Sequence, residues 1–242
     1  MRIPRFYLDA PLVTDEVIQL PSELAHYMGN VLRMRIGAPI VLFNGNGSEY
    51  PSEIVDIHKR KASALINSQI ALNVESPLHL HLGQGVSKGD RMDVALQKAV
   101  ELGVTEITPI ITENCNVKLD ETRWAKKQQA WQKLIISACE QSQRNVLPKL
   151  NAPINMQQWL ALPTALTKLI LSPGAKTYLS SVARPQQGFQ VIIGPEGGLS
   201  EQEVYSAEQL GYLPVNMGNR ILRTETAAIA SLAILQAIHG DL

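Results

Sequence analysis

Apolar positions change their spacing once along the chain. From residue 1 to about 73 they come as short runs, at 39–43, 53–57 and 62–66, broken by Gly37, Gly45, Gly47 and Pro51. This predicts a small β-rich domain over residues 1–73, with Lys59, Arg60 and Lys61 in a hairpin turn. One helix is expected inside it, over 22–32, where Ser22 can cap the first turn and Leu24, Tyr27, Met28 and Val31 fall on one face. After the polar stretch 73–77 the runs lengthen and alternate. Strands are expected at 78–86, 107–111, 169–171, 189–193 and 214–217, and helices at 91–102, 122–143, 201–210 and 225–238. Strands alternating with helices predict an α/β second domain over 74–242.

Two places in that domain carry more than pattern. At 191–203 an apolar strand runs into Gly194-Pro195-Glu196-Gly197-Gly198-Leu199 and then a helix whose start, Ser200 with Glu203 three residues on, has capping-box spacing. Three glycines here permit turns and close approaches that a Cβ resists, which suits a loop wrapped against a ligand, although a ligand-free strand-to-helix connection reads equally well. A Lys-Ser or Lys-Thr pair is missing after the last glycine, as is the Gly-x-Gly-x-x-Gly order, so nucleoside triphosphate and dinucleotide binding are disfavoured. The second place is 215–228. There a short strand ends at Gly218 and a helix begins near Thr224, the expected cap, with Glu225 in its first turn. That helix is apolar nearly all round, which fits burial in the core or against another subunit. Arg220 and Arg223 at its entrance read as a solvated pair until the two loops are considered together.

Charge adds little. The 22 basic and 22 acidic side chains cancel, so any nucleic-acid surface has to be a local patch. Cys115 and Cys139 match no ligand spacing and are expected as buried free thiols, and His26, His58, His79, His81 and His239 have no metal-binding pattern. No signal-peptide pattern or membrane span is evident, and the expectation is a cytoplasmic protein without membrane contact.

The two loops, in this order, resemble those of the RsmE family of 16S rRNA uridine N3-methyltransferases, in which Gly-Pro-Glu-Gly-Gly precedes a Gly-x-Arg-Ile-Leu-Arg-x-Glu-Thr-Ala segment. They stand here at 194–198 and 218–227. Further likenesses are Arg2 to Arg5, His26, Val31 to Arg33, 97–104 and 138–144. Asn114 stands where arginine is common in that family, and Met217 where leucine is. The resemblance implies an N-terminal PUA-like β-barrel that helps hold RNA, and a SPOUT-type α/β methyltransferase domain with a C-terminal trefoil knot that forms a homodimer. It implies S-adenosylmethionine as methyl donor, with Leu171, Gly174, Gly194, Glu196, Gly197, Gly198, Leu199, Met217, Gly218, Ile221, Leu222, Thr226 and Ala227 around it, and no metal. Arg223 becomes the first candidate for stabilising charge on the base and Glu225 a second for handling a proton. The expected phosphate path comprises Arg5, Arg33, Arg35, Lys88, Arg91, Lys98 and Arg144, for 16S rRNA within the 30S subunit. The competing expectations are a SPOUT-type enzyme acting on another RNA atom, such as a ribose 2′-hydroxyl, and a non-catalytic RNA-binding or ribosome-assembly protein.

Overall fold

A computed structural model describes residues 3–117 and 119–242. Met1, Arg2 and Lys118 lie outside the described residues, and with them the Arg2 position of the N-terminal likeness. The chain divides into two compact units, 1–75 with 139–147, and 76–138 with 148–242.

The first unit is built on β1 (Arg5–Tyr7), β2 (Val17–Leu20), α1 (Ser22–His26), β3 (Pro39–Phe43), β4 (Ser48–His58), β5 (Lys61–Ile66) and β6 (Ile70–Ala71). The strands run in the order β1-β3-β4-β5-β2, with β6 on β4. Only β1 with β3 is parallel among the described pairs, and β4 turns into β5 at Lys59 and Arg60 as the basic turn predicted. Phe6, Met28, Ile40, Leu42, Tyr50 and Ile54 form the centre of its core. The expected helix over 22–32 needs correction. Its N-cap is Pro21, so Ser22 does not cap it, and after His26 the chain widens into a π turn over Tyr27–Val31. The widening breaks the 3.6-residue stripe: Ala25 and Met28 are buried whereas Tyr27 and Val31 are exposed.

The second unit comprises β7 (Leu80–Gly85), α2 (Asp90–Glu101), β8 (Glu106–Ile111), α3 (Glu121–Ser142), β9 (Lys149–Leu150), β10 (Ile154–Asn155), α4 (Met156–Leu160), β11 (Thr167–Leu171), β12 (Thr177–Tyr178), β13 (Phe189–Ile193), α5 (Glu201–Gln209), β14 (Leu213–Asn216) and α6 (Thr224–His239). The last four residues of α3 count with the first unit. The sheet order is β10-β8-β7-β13-β11-β14-β12, with β9 on β8, and every described pair is parallel. β7 and β13 are buried along their whole length, as expected of strands covered on both faces. In the middle of β7, Gly83 leaves the space that Trp159 fills, since a Cβ there would lie 2.7 Å from the indole. Cys115 and Cys139 are both buried and free. Burial pushes the Cys139 thiol up to about 12, despite the opposing pull of Arg144. No helix among the described residues is long and apolar enough to cross a membrane.

Candidate functional site

β13, β11 and β14 are sheet neighbours and run in the same direction. Their carboxyl ends therefore release three loops side by side, at 172–176, 194–200 and 217–223, the place where open parallel sheets bind ligands. Two cavities lie among them. One, of about 470 Å³, is walled by Leu171, Ile193, Leu199, Val204, Leu222 and Ala227, with Gly194, Glu196, Gly198, Arg91 and Arg223 around it. The other, of about 570 Å³, is lined by Gly174, Lys176, Tyr178, Asn216, Met217, Gly218 and Arg220. The cavities share Leu171, Pro173, Ile221, Leu222 and Ala227 as a common apolar wall. Each is large enough for a ligand of nucleoside size, and the mixture of apolar wall and few polar groups is usual for such sites.

Local chemistry fixes the first glycine loop. Ser200 accepts from the Glu203 backbone N–H at 3.2 Å and Glu203 accepts from that of Ser200 at 2.9 Å, so the expected capping box is formed. The second carboxylate oxygen of Glu203 accepts from the Glu113 N–H at 2.9 Å. Asn114, next along, donates to the carbonyls of Gly197 and Gly198 at 3.1 and 3.3 Å. Glu196 accepts from the Lys88 backbone N–H at 2.9 Å and from Arg91 at 3.0 Å. Burial pushes the Glu196 carboxyl up, but the backbone N–H groups and Arg91 outweigh it and hold it below the usual range. Gly198, with φ +70°, has open space where a Cβ would point.

Most expected donor-site residues line one cavity or the other. Leu171, Gly194, Glu196, Gly198, Leu199, Ile221, Leu222 and Ala227 line the first, while Gly174, Met217 and Gly218 line the second. Gly197 and Thr226 line neither. A Cβ on Gly197 would lie 2.9 Å from the Asn114 Cβ, so its missing side chain serves that contact, and Thr226 faces outward on α6. Thr224 also departs from expectation. Arg223 is the N-cap of α6 and makes no side-chain cap bond, and Thr224 is the first helical residue, with its hydroxyl turned inward to Gly194. Arg223 is exposed on the rim of the first cavity. Glu225 lines neither cavity, and one of its carboxylate oxygens is buried with no hydrogen-bond partner among the described residues. Its place in the first turn of α6 suits the helix dipole.

The expected phosphate path divides. Arg33 and Arg35 are exposed in the first unit, and Lys88 and Arg91 are exposed in the second, where Arg91 is already paired to Glu196. Lys98 is half-buried and paired with Glu101 at 2.8 Å. Arg5 and Arg144 are corrections. Arg5 is buried against Glu49 and Asn145, and Arg144, 4% exposed, donates to Glu75 through Nε at 2.9 Å and through Nη2. Their guanidiniums complete the interior of the first unit and are not available to an outside phosphate.

A parallel α/β domain with two glycine loops closing a cavity at adjacent strand ends defines the class of small-ligand α/β proteins, and the comparisons narrow it. A family model described as an RNA methyltransferase domain matches residues 74–236, and one described as an RNA methyltransferase PUA domain matches 20–67. Ribosomal RNA small subunit methyltransferase E of Buchnera aphidicola subsp. Schizaphis graminum is 38% identical over 242 residues, covering 100% of this chain and 98% of the relative. That of Bacillus subtilis is 31% identical over 235 residues and covers 92% of each. Among solved structures, a methyltransferase of Legionella pneumophila in complex with the bound cofactor SAM matches with a TM-score of 0.96 and 42% identity over all of both chains. Ribosomal RNA small subunit methyltransferase E of Neisseria gonorrhoeae, bound to S-adenosyl methionine, matches at 0.93 and 41%, again over all of both. The chain belongs to the ribosomal RNA small subunit methyltransferase E family.

Proposed function

We propose that this protein uses S-adenosylmethionine to methylate N3 of a uridine in 16S rRNA. The observation that carries the reading is the pair of cavities formed where the 194–199 and 217–223 loops meet, with Arg223 on the rim. The residues fit the donor. An apolar wall of Leu171, Leu199 and Leu222 suits adenine and the methylene groups of the methionine chain, while the glycine turns leave main-chain groups accessible to the nucleoside. The donor supplies a methyl group already activated by its sulfonium. The protein's part is to align the base with that group, to favour loss of the N3 proton, and to stabilise the negative charge that this loss places on the uracil carbonyls.

Arg223 is the side chain suited to that charge, since it reaches the cavity rim and pairs with no carboxylate among the described residues. Arg33 and Arg35 on the PUA-like unit, and Lys88 and Arg91 beside the cavity, supply exposed positive charge for phosphates. On family grounds we include in this reading the knotted chain path, the 30S particle as substrate and a homodimer. The outer face of α6 supports the dimer, because Ile229, Ala230, Ala233 and Ile234 are apolar yet only partly covered.

The test is transfer of labelled methyl from S-adenosylmethionine to 30S subunits lacking the modification, followed by nucleoside analysis of the 16S rRNA. Labelled 3-methyluridine is expected. A different labelled nucleoside would replace the target atom, and no label on a competent acceptor would remove the catalytic reading.

A further inference from the structure

Gln84 is a polar residue where the sheet has no evident use for one. It lies on β7, a central strand buried from end to end, pairs in register with Ile193 at the end of β13, and is itself 0% exposed. An apolar side chain of the same size would satisfy the core better, because burial of an amide is unfavourable unless all its hydrogen bonds are made. Here they are not all made: Oε1 has no hydrogen-bond partner among the described residues. The amide nitrogen, by contrast, is fully used. It donates to the Gly85 carbonyl at 3.1 Å and to the Thr224 hydroxyl at 2.9 Å.

Those two bonds set a direction. The Gly85 carbonyl can only accept, so the NH₂ side of the amide must face it, and its second proton then goes to Thr224 Oγ1. A hydroxyl that accepts this proton keeps its own for another acceptor. The acceptor is the carbonyl of Gly194, the first residue of the glycine loop, at 2.7 Å. Thr224, 5% exposed, is also the first residue of α6, immediately after Arg223. A single buried chain, from Gln84 through Thr224 to Gly194, thus ties together two segments that both line the first cavity. Neither Gln84 nor its strand lines that cavity.

We infer that Gln84 is a positioning residue for methyl transfer: it fixes the Thr224 hydroxyl so that the glycine loop and the Arg223 helix entrance are held at a set separation around the methyl donor. The inference rests on the proposed donor site and adds a residue that acts through Thr224. Thr224→Val keeps the shape and removes the hydroxyl, Thr224→Ser keeps the hydroxyl, and Gln84→Met keeps the volume and removes the amide.

Two readouts are combined in the test. Hydrogen–deuterium exchange of the backbone over 194–199 is followed in the full-length protein without donor, and S-adenosylmethionine affinity is measured by calorimetry, with melting temperatures recorded for every variant. Thr224→Val should exchange faster over 194–199 and bind the donor roughly tenfold more weakly, with Thr224→Ser within about twofold of wild type. Gln84→Met should loosen the same segment while its melting temperature holds or rises, and Gln84→Met/Thr224→Val should bind no worse than Thr224→Val alone, since the amide works through the hydroxyl. Effects of the two substitutions that multiply, or affinity lost only in step with melting temperature and not restored by serine, would overturn the inference. If wild-type protein itself bound no S-adenosylmethionine, the proposed function would fall, while unchanged exchange over 194–199 in Thr224→Val would separately sink the positioning role.

Discussion

A Cβ placed on Gly85 would lie 2.5 Å from the backbone nitrogen of Pro195, closer than real Cβ contacts come. The carboxyl end of β7 is therefore the surface against which the Gly194-Pro195 peptide is laid, and a hydrogen atom is all that fits between them. Both atoms belong to rigid backbone, so the crowding cannot be relieved by a side-chain rotation. Gly85→Ala is expected to displace the glycine loop, to cost about 1–3 kcal/mol in urea unfolding, and to weaken S-adenosylmethionine binding in calorimetry. Wild-type affinity in a folded Gly85→Ala protein would show that the loop position is not set by this contact.

Asn114 stands where the family commonly has arginine, and here its amide spans the carbonyls of Gly197 and Gly198. Asn114→Ala removes two partly exposed hydrogen bonds. We expect donor affinity to fall by roughly fivefold, the equivalent of ~1 kcal/mol, with little change in global stability. Affinity measured against the melting midpoint separates loosening of the loop from general damage.

Gly198, at φ +70°, takes a conformation that residues with a branched Cβ resist, and it lines the first cavity. Gly198→Val should abolish measurable donor binding while the PUA-like unit stays folded. Retained binding would take the glycine loop out of the site.

Arg223→Ala should lower the single-turnover rate on 30S subunits by roughly a hundredfold, with donor affinity within about threefold of wild type. Loss of donor affinity with an unchanged rate would make Arg223 a binding residue instead.

His81 gives a pH dependence. It is buried on β7, shares a hydrogen bond with Thr108 at 2.8 Å and packs edge-on against Trp159. Burial lowers its pKa to about 4, against the opposing pull of Glu106. The folded state therefore binds no proton there until near pH 4, whereas the unfolded chain takes one up near the ordinary value of about 6.5. Stability due to this difference is full above pH 6.5 and falls as pH drops from about 6.5 to 4, by at most about 3 kcal/mol. Urea midpoints across that window should show the slope, and His81→Gln should flatten it. An equal slope in His81→Gln would assign it to other groups, of which Glu106 is the neighbour to examine: burial raises its pKa, but Asn151 and Lys149 hold it below the usual range.

The parts of the site that are local in sequence could be read from it. The Ser200–Glu203 capping box and both glycine loops depend on residues a few positions apart, and the strands that feed them are continuous apolar runs. α4 could also have been found, because Asn155 and Gln158 form a second capping box that the apolar pattern alone does not reveal. What could not be read depends on distant partners. Arg144 reads as a surface charge until Glu75 is seen beside it, and Thr224 reads as a helix cap until Gly194 and Gln84 claim its hydroxyl. Thr226 and Gly197 fall inside recognisable motifs, yet one faces outward and the other faces Asn114.

Residues 139–147 complete the first unit although they follow much of the second unit in the chain. Glu140 accepts the Tyr7 N–H, Asn145 meets Arg5 and donates to the Leu72 carbonyl, and Arg144 neutralises Glu75. During synthesis the first unit thus has to wait, with Arg5 and Glu75 lacking these partners, until a segment roughly seventy residues further on has been made, a delay of several seconds at ordinary elongation rates. A fragment ending at Glu75 would stay in that unfinished condition, so the boundary drawn by the change in pattern near residue 73 is a boundary in sequence and not a point at which the chain can be cut into two self-sufficient proteins.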